Sequence, residues 1–535
     1  MWRLYFNILV LSISQLTFAQ DVFLPDANSS HYFEKIHVKH QLDLHADVRP
    51  FNIIQFLDSF QLKVFTVGEQ NQLEWAAGKY QGKKPVVFNA GLLRLLDKNI
   101  EGNYINVLPV LNFDFGKNQG QRHYINTRGA EVLGHLSNKV GVYTFIRENQ
   151  YFFPDYVGVH MAYYNNTIPK QGRYRVFKED GYDLSESEAY ITYSPLRHVQ
   201  LKFGKYKNFI GNGYRSMLLS ENANSYLNVG MRLQFWKIDY QMLLTEMQDY
   251  PNYLPSSQML RRKHSTFHYF SSKITKNITV GFFESVVYDR GDSATNSHFD
   301  LNYLNPFVML RSTEYYIGSP DNALIGVNLY WNIAKKYQVY FQGLLDEFNV
   351  DHLIKDNQGW WANKYATQIG GKAYDLFGVE DLDLQLERNF ARPFTYSYIT
   401  TAESYSHASQ PLSHPLGANF VENMLLIKFR PSKKSFLKLQ YMNYSKGFDE
   451  IGGIAFGGDV MRNYYDRGRG NDFGHETLQG SLTVVNYISL LYSYEMLLGL
   501  NIDLSMMYRQ DNFTNSYALT RLGLRYNLSY RHFDY

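Results

Sequence analysis

Two carboxylate pairs, Asp346-Glu347 and Asp381/Asp383, have spacings that invite a glycosidase reading, because cleavage of a sugar linkage needs an acid and a second carboxylate at a set distance. Neighbours on a strand point to opposite faces, so Asp346 and Glu347 cannot line one site without a bulge. Asp381 and Asp383 share a face, but within a plain alternating strand. His407 and His414 stand seven apart in a loop with Pro411 and Pro415, and no HExxH or comparable spacing occurs, so no metal site is expected. Gly211-Asn212-Gly213 suggests a phosphate loop, yet no Gly-Lys-Ser/Thr follows it and no helix start is evident. Read as a loop in which Gly and Asn supply positive φ angles, it presents Tyr214 and Arg215. Aromatic faces stack on sugar C–H groups, and Arg or Asn serves the hydroxyls; a carboxylate partner for Arg215 is the structural alternative. A second cluster is Asn305-Pro306 with Arg311 and Glu314. Pro306 marks a strand edge or an inward loop, and Arg311 and Glu314 either neutralise each other or contact sugar. The candidate carbohydrate-binding residues are therefore Tyr214, Arg215, Asn305, Arg311 and Glu314, with no catalytic residue, metal or cofactor expected.

What positions these groups is a chain of 535 residues, 45% hydrophobic and 19% charged, which excludes disorder. Aromatic residues reach 16%, with 45 Tyr, and Tyr suits a boundary between water and lipid. The formal net charge is +3 and no basic tract tracks nucleic acid. The chain has no cysteine, so disulfides, thiol nucleophiles and a lipoprotein anchor are excluded. Residues 1–19 read as a signal peptide cleaved after Ala19, with Arg3 ahead of the apolar run from Leu4 to Leu11. Residues 20–102 carry helical spacing at Ile53, Ile54, Leu57 and Phe60 and again at Leu92, Leu93, Leu95 and Leu96, and read as a periplasmic segment of short helices and loops.

From 103 to 535 the period is two. His198–Asn224 shows the unit: Val199, Leu201 and Phe203 alternate with polar residues, a Gly/Asn-rich basic segment follows, and an apolar run returns at Met217–Leu219. Ile278–Phe282, Val327–Trp331, Leu382–Leu386 and Ile502–Met506 repeat the alternation, and its parity changes at Trp236-Lys237 as at a tight hairpin. The polar faces are too rich in Asn, Gln, Asp and Lys for the dry interior of a sandwich. Leu522, Leu524, Tyr526, Leu528 and Tyr530 alternate with Arg521 and Arg525, which would cost several kcal/mol facing lipid and must face a lumen. The expected fold is all-β, a transmembrane outer-membrane barrel; about 430 residues at roughly 24 per strand and connection give about 18 antiparallel strands.

Several blocks go further. The segments FIGNGYRSMLLSENANSY (Phe209–Tyr226), ESVVYDRGD (Glu284–Asp292), DLNYLNPFVMLRSTEYYIGSPDNALIGVNL (Asp300–Leu329) and HPLGANFVENM (His414–Met424) resemble the Wzi-type capsule-assembly proteins, and most nearly the gliding-motility, RemB-like branch. The resemblance implies a non-enzymatic outer-membrane barrel that binds or organises surface polysaccharide, in capsule assembly or attachment and in support of gliding. Expected partners are surface polysaccharide, outer-membrane lipid and, given a final amphipathic strand and the aromatic Tyr535, the barrel-assembly machinery, with motility or secretion components as further candidates. A porin-like channel and an adhesion component without glycan binding are the alternatives.

Overall fold

A computed structural model describes residues 27–42, 44–50, 93–94, 104–118, 121–136, 139–196, 198–250, 260–291, 297–306, 321–347, 358–432, 434–450, 452–468, 470–497, 499–512 and 516–535, with isolated positions between them. The proposed signal peptide and the helical spacings at 53–60 and 92–96 lie outside these residues. The described chain opens on α1 (Ala27–His40) and then forms a closed antiparallel barrel of eighteen strands. These are β1 (Tyr104–Asn118), β2 (Gln121–Leu136), β3 (Val140–Phe152), β4 (Gly181–Leu196), β5 (Val199–Tyr206) and β6 (Tyr226–Phe235). Next come β7 (Ile238–Asp249), β8 (Arg261–Lys273), β9 (Ile278–Tyr288), β10 (Asn322–Ile333), β11 (Tyr337–Glu347) and β12 (Lys364–Ala373). The last are β13 (Leu382–Ala391), β14 (Phe420–Ser432), β15 (Ser435–Phe448), β16 (Ser481–Leu497), β17 (Leu500–Asp511) and β18 (Tyr517–Tyr526). A second helix, α2 (Asp155–Tyr163), lies in the β3–β4 connection. Pairing of β18 with β1, Thr520 opposite Lys117, closes the ring.

The alternation in the sequence is the wall seen from its two sides. Leu201, Phe203, Leu386, Leu504, Leu522 and Leu524 point outward and are exposed, while Lys202, Glu387, Asp503 and Gln385 are buried inside. Arg525 pairs with Asp503 at 2.7 Å and Arg521 with Asp114 at 3.5 Å, both in the lumen as the cost of a lipid-facing Arg requires. Strands of 8 to 17 residues with an apolar outer surface and a polar interior make this a membrane-spanning barrel of the outer-membrane type. Among the described residues no helix is long and apolar enough to cross a membrane.

The wall strands turn from β6 to β7, β10 to β11 and β14 to β15 at one end, and the long connections after β3, β5, β9, β13 and β15 leave the wall at the other. Short turns face the periplasm in such barrels and long loops the exterior. α1 sits inside the short-turn end. Lys35 of α1 meets Asp375 at 2.7 Å, Asp381 at 2.8 Å and Asp383 at 3.0 Å, and His31 meets Asp383 at 3.0 Å. Asp381 therefore lies in the turn ahead of β13 and shares a lysine with Asp383; the pair does not sit within one strand as its alternation suggests.

Met217–Leu219 is not the next barrel strand. It is wholly buried in the lumen, and β6 begins only at Tyr226, because residues 207–225 turn inward after β5. The end of the chain turns inward as well. The alternation through Leu528 and Tyr530 predicts a strand to the terminal aromatic, whereas β18 stops at Tyr526 and residues 527–535 fold into the lumen, where Tyr535 stacks on His160 of α2 at 4.1 Å.

Residues 297–306 of the β9–β10 connection run over the outside of the wall. By register Tyr240, His264, His268, Glu284 and Tyr288 point outward, yet all are buried. Residues 297–306 form an external strap over part of this face: Tyr303 packs on Tyr288 at 4.8 Å, Phe299 meets His264, and Tyr240 Oη, beside His268, donates to the Pro306 carbonyl. Arg290 anchors the strap through Asp300 at 2.8 Å and both oxygens of Asp321. The pair His268 and Glu284, directly opposed in mid-wall, explains the cover, since neither belongs against hydrocarbon. Asn305-Pro306, expected at a strand edge or in an inward loop, lies instead on this outer surface.

Candidate functional site

The sequence-predicted residues separate in space. Tyr214 and Arg215 are in the lumen, Asn305 is exposed on the strap, and Arg311 and Glu314 lie outside the described residues. Of the three residues in Gly211-Asn212-Gly213, Gly211 alone takes a positive φ, 136°; a Cβ there would stand 2.2 Å from the Gln342 side chain. That close approach lets the inward segment seat against β11, where Gln342 accepts from the Met217 N–H at 2.9 Å and donates to the Ile210 carbonyl at 3.1 Å.

From there the segment crosses the barrel. The Tyr214 and Arg215 N–H groups donate to Glu387 of β13 at 2.7 and 3.1 Å, and Arg215, 5% exposed, reaches Glu422 of β14 at 3.7 Å. Since β14 lies on the far side of the ring from β5 and β6, where the segment begins, Arg215 spans the lumen. It also bonds the Asp534 carbonyl and lies 3.5 Å from the Asp534 carboxylate, to which Tyr214 Oη and Gln440 donate at 2.7 Å each. Burial alone would raise the Asp534 carboxyl; Arg215, with Lys170 and His532, holds it well below the usual carboxylate range. Arg215 is thus the centre of an ion network joining the inward segment, the wall and the tail.

The 392–419 connection fills the space beside it. Tyr396 and Tyr405 donate to the Met217 and Leu218 carbonyls at 2.8 and 2.7 Å, and Ser406–His407 pairs with Gln410–Pro411 as a small hairpin. His414 contacts Glu422 at 2.7 Å and stacks on Phe420. Neither His407 nor His414 is near a metal-ligand set, and among the described residues no group of three or more His, Cys, Asp or Glu could hold an ion. Asp346 and Glu347 both approach Lys364, at 3.6 and 3.0 Å, Asp346 buried and Glu347 half-open, because the register of β11 shifts between Leu345 and Glu347 and this bulge breaks the alternation that would otherwise part them.

Several of these enclosed histidines lie outside the wall strands. Burial first, then nearby Lys428, lowers His31 to about 4; burial and Lys446 lower His160 to about 3; burial and Lys263 lower His407 to about 3. Each is neutral when folded and titrates near 6.5 when unfolded, so its contribution is complete above about pH 6.5 and is lost as pH falls toward the folded values. The melting temperature in detergent is expected to fall steadily from about pH 6.5 to about pH 4, less so when His31, His160 and His407 are replaced by Gln. A flat profile would contradict the neutral, buried assignment.

On the exterior, at the long-loop end, a second cluster forms that the sequence reading missed. Residues 358–361 ahead of β12 dock on 472–475 through three backbone bonds: Trp361 N–H to Asp472 O, Gly474 N–H to Gln358 O and His475 N–H to Gly359 O, at 2.8–2.9 Å. This sets Trp361 between Arg467, 4.0 Å above its ring, and Tyr464, 4.6 Å away. Asp472 holds Arg467 in place at 2.6 Å. Trp360 is left half-buried at the outer edge, 5.0 Å from His352, which contacts Phe473 at 5.4 Å. Phe473 is 48% and Tyr465 59% exposed, and Gln358, Asn471 and Asp466 stand exposed around them. Rigidly backed aromatic faces rimmed by amide and carboxylate groups can stack on sugar rings and bond their hydroxyls. The adjacent tryptophans after Gly359, two of only six in the chain, were the available signal.

No protein-family model and no curated protein matches the chain. Among solved structures it is similar to Wzi, an outer membrane protein involved in group 1 capsule assembly in Escherichia coli and described as a carbohydrate-binding β-barrel, with a TM-score of 0.60 at 11% identity over 96% of this chain and 100% of that one. It also matches OprD of Pseudomonas aeruginosa, with a TM-score of 0.42 at 10% identity over 79% of this chain and 94% of that one. The first likeness is to the whole fold, with no residue-level correspondence implied.

Proposed function

We propose that this chain is a non-enzymatic outer-membrane barrel that holds surface polysaccharide on its exterior loops, as an attachment or assembly factor for capsule or exopolysaccharide. The observation that carries the reading is the platform of Trp360, Phe473 and Tyr465, braced from beneath by Trp361 and Arg467. The fold likeness to Wzi supports it, and many weak contacts repeated along a polymer supply avidity without one deep pocket. The alternative, a transport channel, needs a water-filled path, and the inward segment and tail cross the lumen where that path would run. A contribution to gliding rests on the sequence resemblance alone.

The test scores cell-attached and shed polysaccharide in wild-type, deletion and Trp360→Ala/Phe473→Ala cells. The deletion is expected to shed polymer that is still made, and the double variant to lose on the order of tenfold in affinity for isolated polymer, as two lost stacking contacts imply. Unchanged attached and shed polymer on deletion would sink the reading.

A further inference from the structure

The outer wall from β13 to β17 carries polar side chains where lipid should be. Arg388 stands directly opposite Asn423, Asn423 opposite Asn443, Asn443 opposite Asn486, and Asn486 opposite Gln510, an unbroken row across five strands. All five point outward; Arg388 and Gln510 are exposed and the three Asn half-exposed. Arg388 donates to Asn423 at 3.0 Å and Asn443 to Asn486 at 2.9 Å, but among the described residues Arg388 has no carboxylate partner and Gln510 no partner.

The row climbs as it goes. Arg388 is six residues from the periplasmic start of β13 and Gln510 ten from that of β17. At ~3.3 Å per residue and a tilt of ~40° these are heights of about 15 and about 25 Å, from the middle of the apolar band to its outer edge. Below lie apolar and aromatic rows, Leu386, Leu425, Tyr441, Ile488 and Tyr508 in register, all facing out. A cation at mid-depth facing hydrocarbon is costly unless an anion meets it. Its neighbours are amides and tyrosines, the groups that serve hydroxyls and acyl-amides.

We infer that the outward face of β13–β17 is a binding site for an anionic, acylated glycolipid of the outer leaflet, its charged sugar head on the Arg388–Gln510 row and its chains on the apolar rows beneath. A protein partner would favour small residues that let two walls approach, whereas the apolar outward residues flanking this row are mostly large, such as Leu386, Tyr441, Ile488, Met506 and Tyr508. The site is separate from the aromatic platform, so it stands or falls independently of the polysaccharide reading.

The full-length protein is placed in phosphatidylcholine nanodiscs containing lipid A, a bisphosphorylated acylated glucosamine disaccharide, and the lipid A retained per barrel is counted by native mass spectrometry. Wild type is expected to retain it, and Arg388→Leu/Asn443→Leu about tenfold less, as loss of a charge-assisted contact implies. Both substitutions place an apolar side chain against lipid, so folding, read from heat-modifiable gel mobility, stays intact; Arg128→Leu on β2, outside the β13–β17 face, retains lipid A as wild type does. Equal retention by the double variant, or equal retention of phosphatidylglycerol or dephosphorylated lipid A, would overturn the assignment. So would efficient crosslinking of Asn443→Cys, the only cysteine then present, to a second barrel.

Discussion

Arg215→Ala is expected to destabilise the barrel by about 3–5 kcal/mol, because it strands the buried Asp534 and Glu422 carboxylates without their shared cation. The measurement is the melting temperature in detergent, checked by heat-modifiable gel mobility. Arg215→Lys keeps the charge but not the reach to both carboxylates and should fall between. Asp534→Asn in the Arg215→Ala background should recover part of the loss, since it removes one of the stranded charges; strict additivity of the two substitutions would show that they do not share a network. A loss below about 0.5 kcal/mol, the range of an ordinary surface substitution, would mean that the lumen holds water around Arg215 rather than protein.

In planar bilayers the wild-type protein is expected to pass little current. An eighteen-stranded barrel with an empty lumen holds an aqueous channel, so what stops conduction is the content of the lumen. The inward segment bridges from β5 to Glu422 across the ring, and the tail binds it there. Removing residues 527–535, or separately shortening 209–224, should raise single-channel conductance at least about tenfold. Porin-like conductance in the untouched protein would reverse the reading and make transport the leading function; silence in all three proteins would assign the block to other parts of the chain.

The wall was legible in the sequence because one physical rule governs it: lipid on one side, water and polar groups on the other, and a period of two between. Arg521 and Arg525 alone fixed which face of the last strand looks inward, and Trp236-Lys237 marked a hairpin that the structure has. What fills and covers the wall obeys no period. Met217–Leu219 reads like a strand but is buried from all sides in the lumen, where apolar packing and alternation look alike over three residues. The strap left one trace in the sequence, His268 and Glu284 at outward positions in β8 and β9, which only a cover could permit. Tyr214 and Arg215 share the Asp534 carboxylate, and the contacts seen for Arg215 are those of its structural alternative, a carboxylate partner. The aromatic platform escaped because a 16% aromatic background hides any cluster whose members come from connections a hundred residues apart.

The tail bears on the order in which this molecule can be assembled. The ring closes by joining β18 to β1, Thr520 to Lys117, and residues 527–535 leave β18 at that very seam to end among Arg215, Glu186 and Tyr156 inside. A ring zipped shut first would leave the tail to thread in through the periplasmic mouth, past α1 and its salt bridges to Asp375 and Asp383. The simpler sequence is the reverse: the interior knots together while the seam is open, and the last pair of strands closes around a finished plug. The final zipping step then tests the interior, since a chain whose lumen has failed to pack presents a displaced tail at the edge that must close.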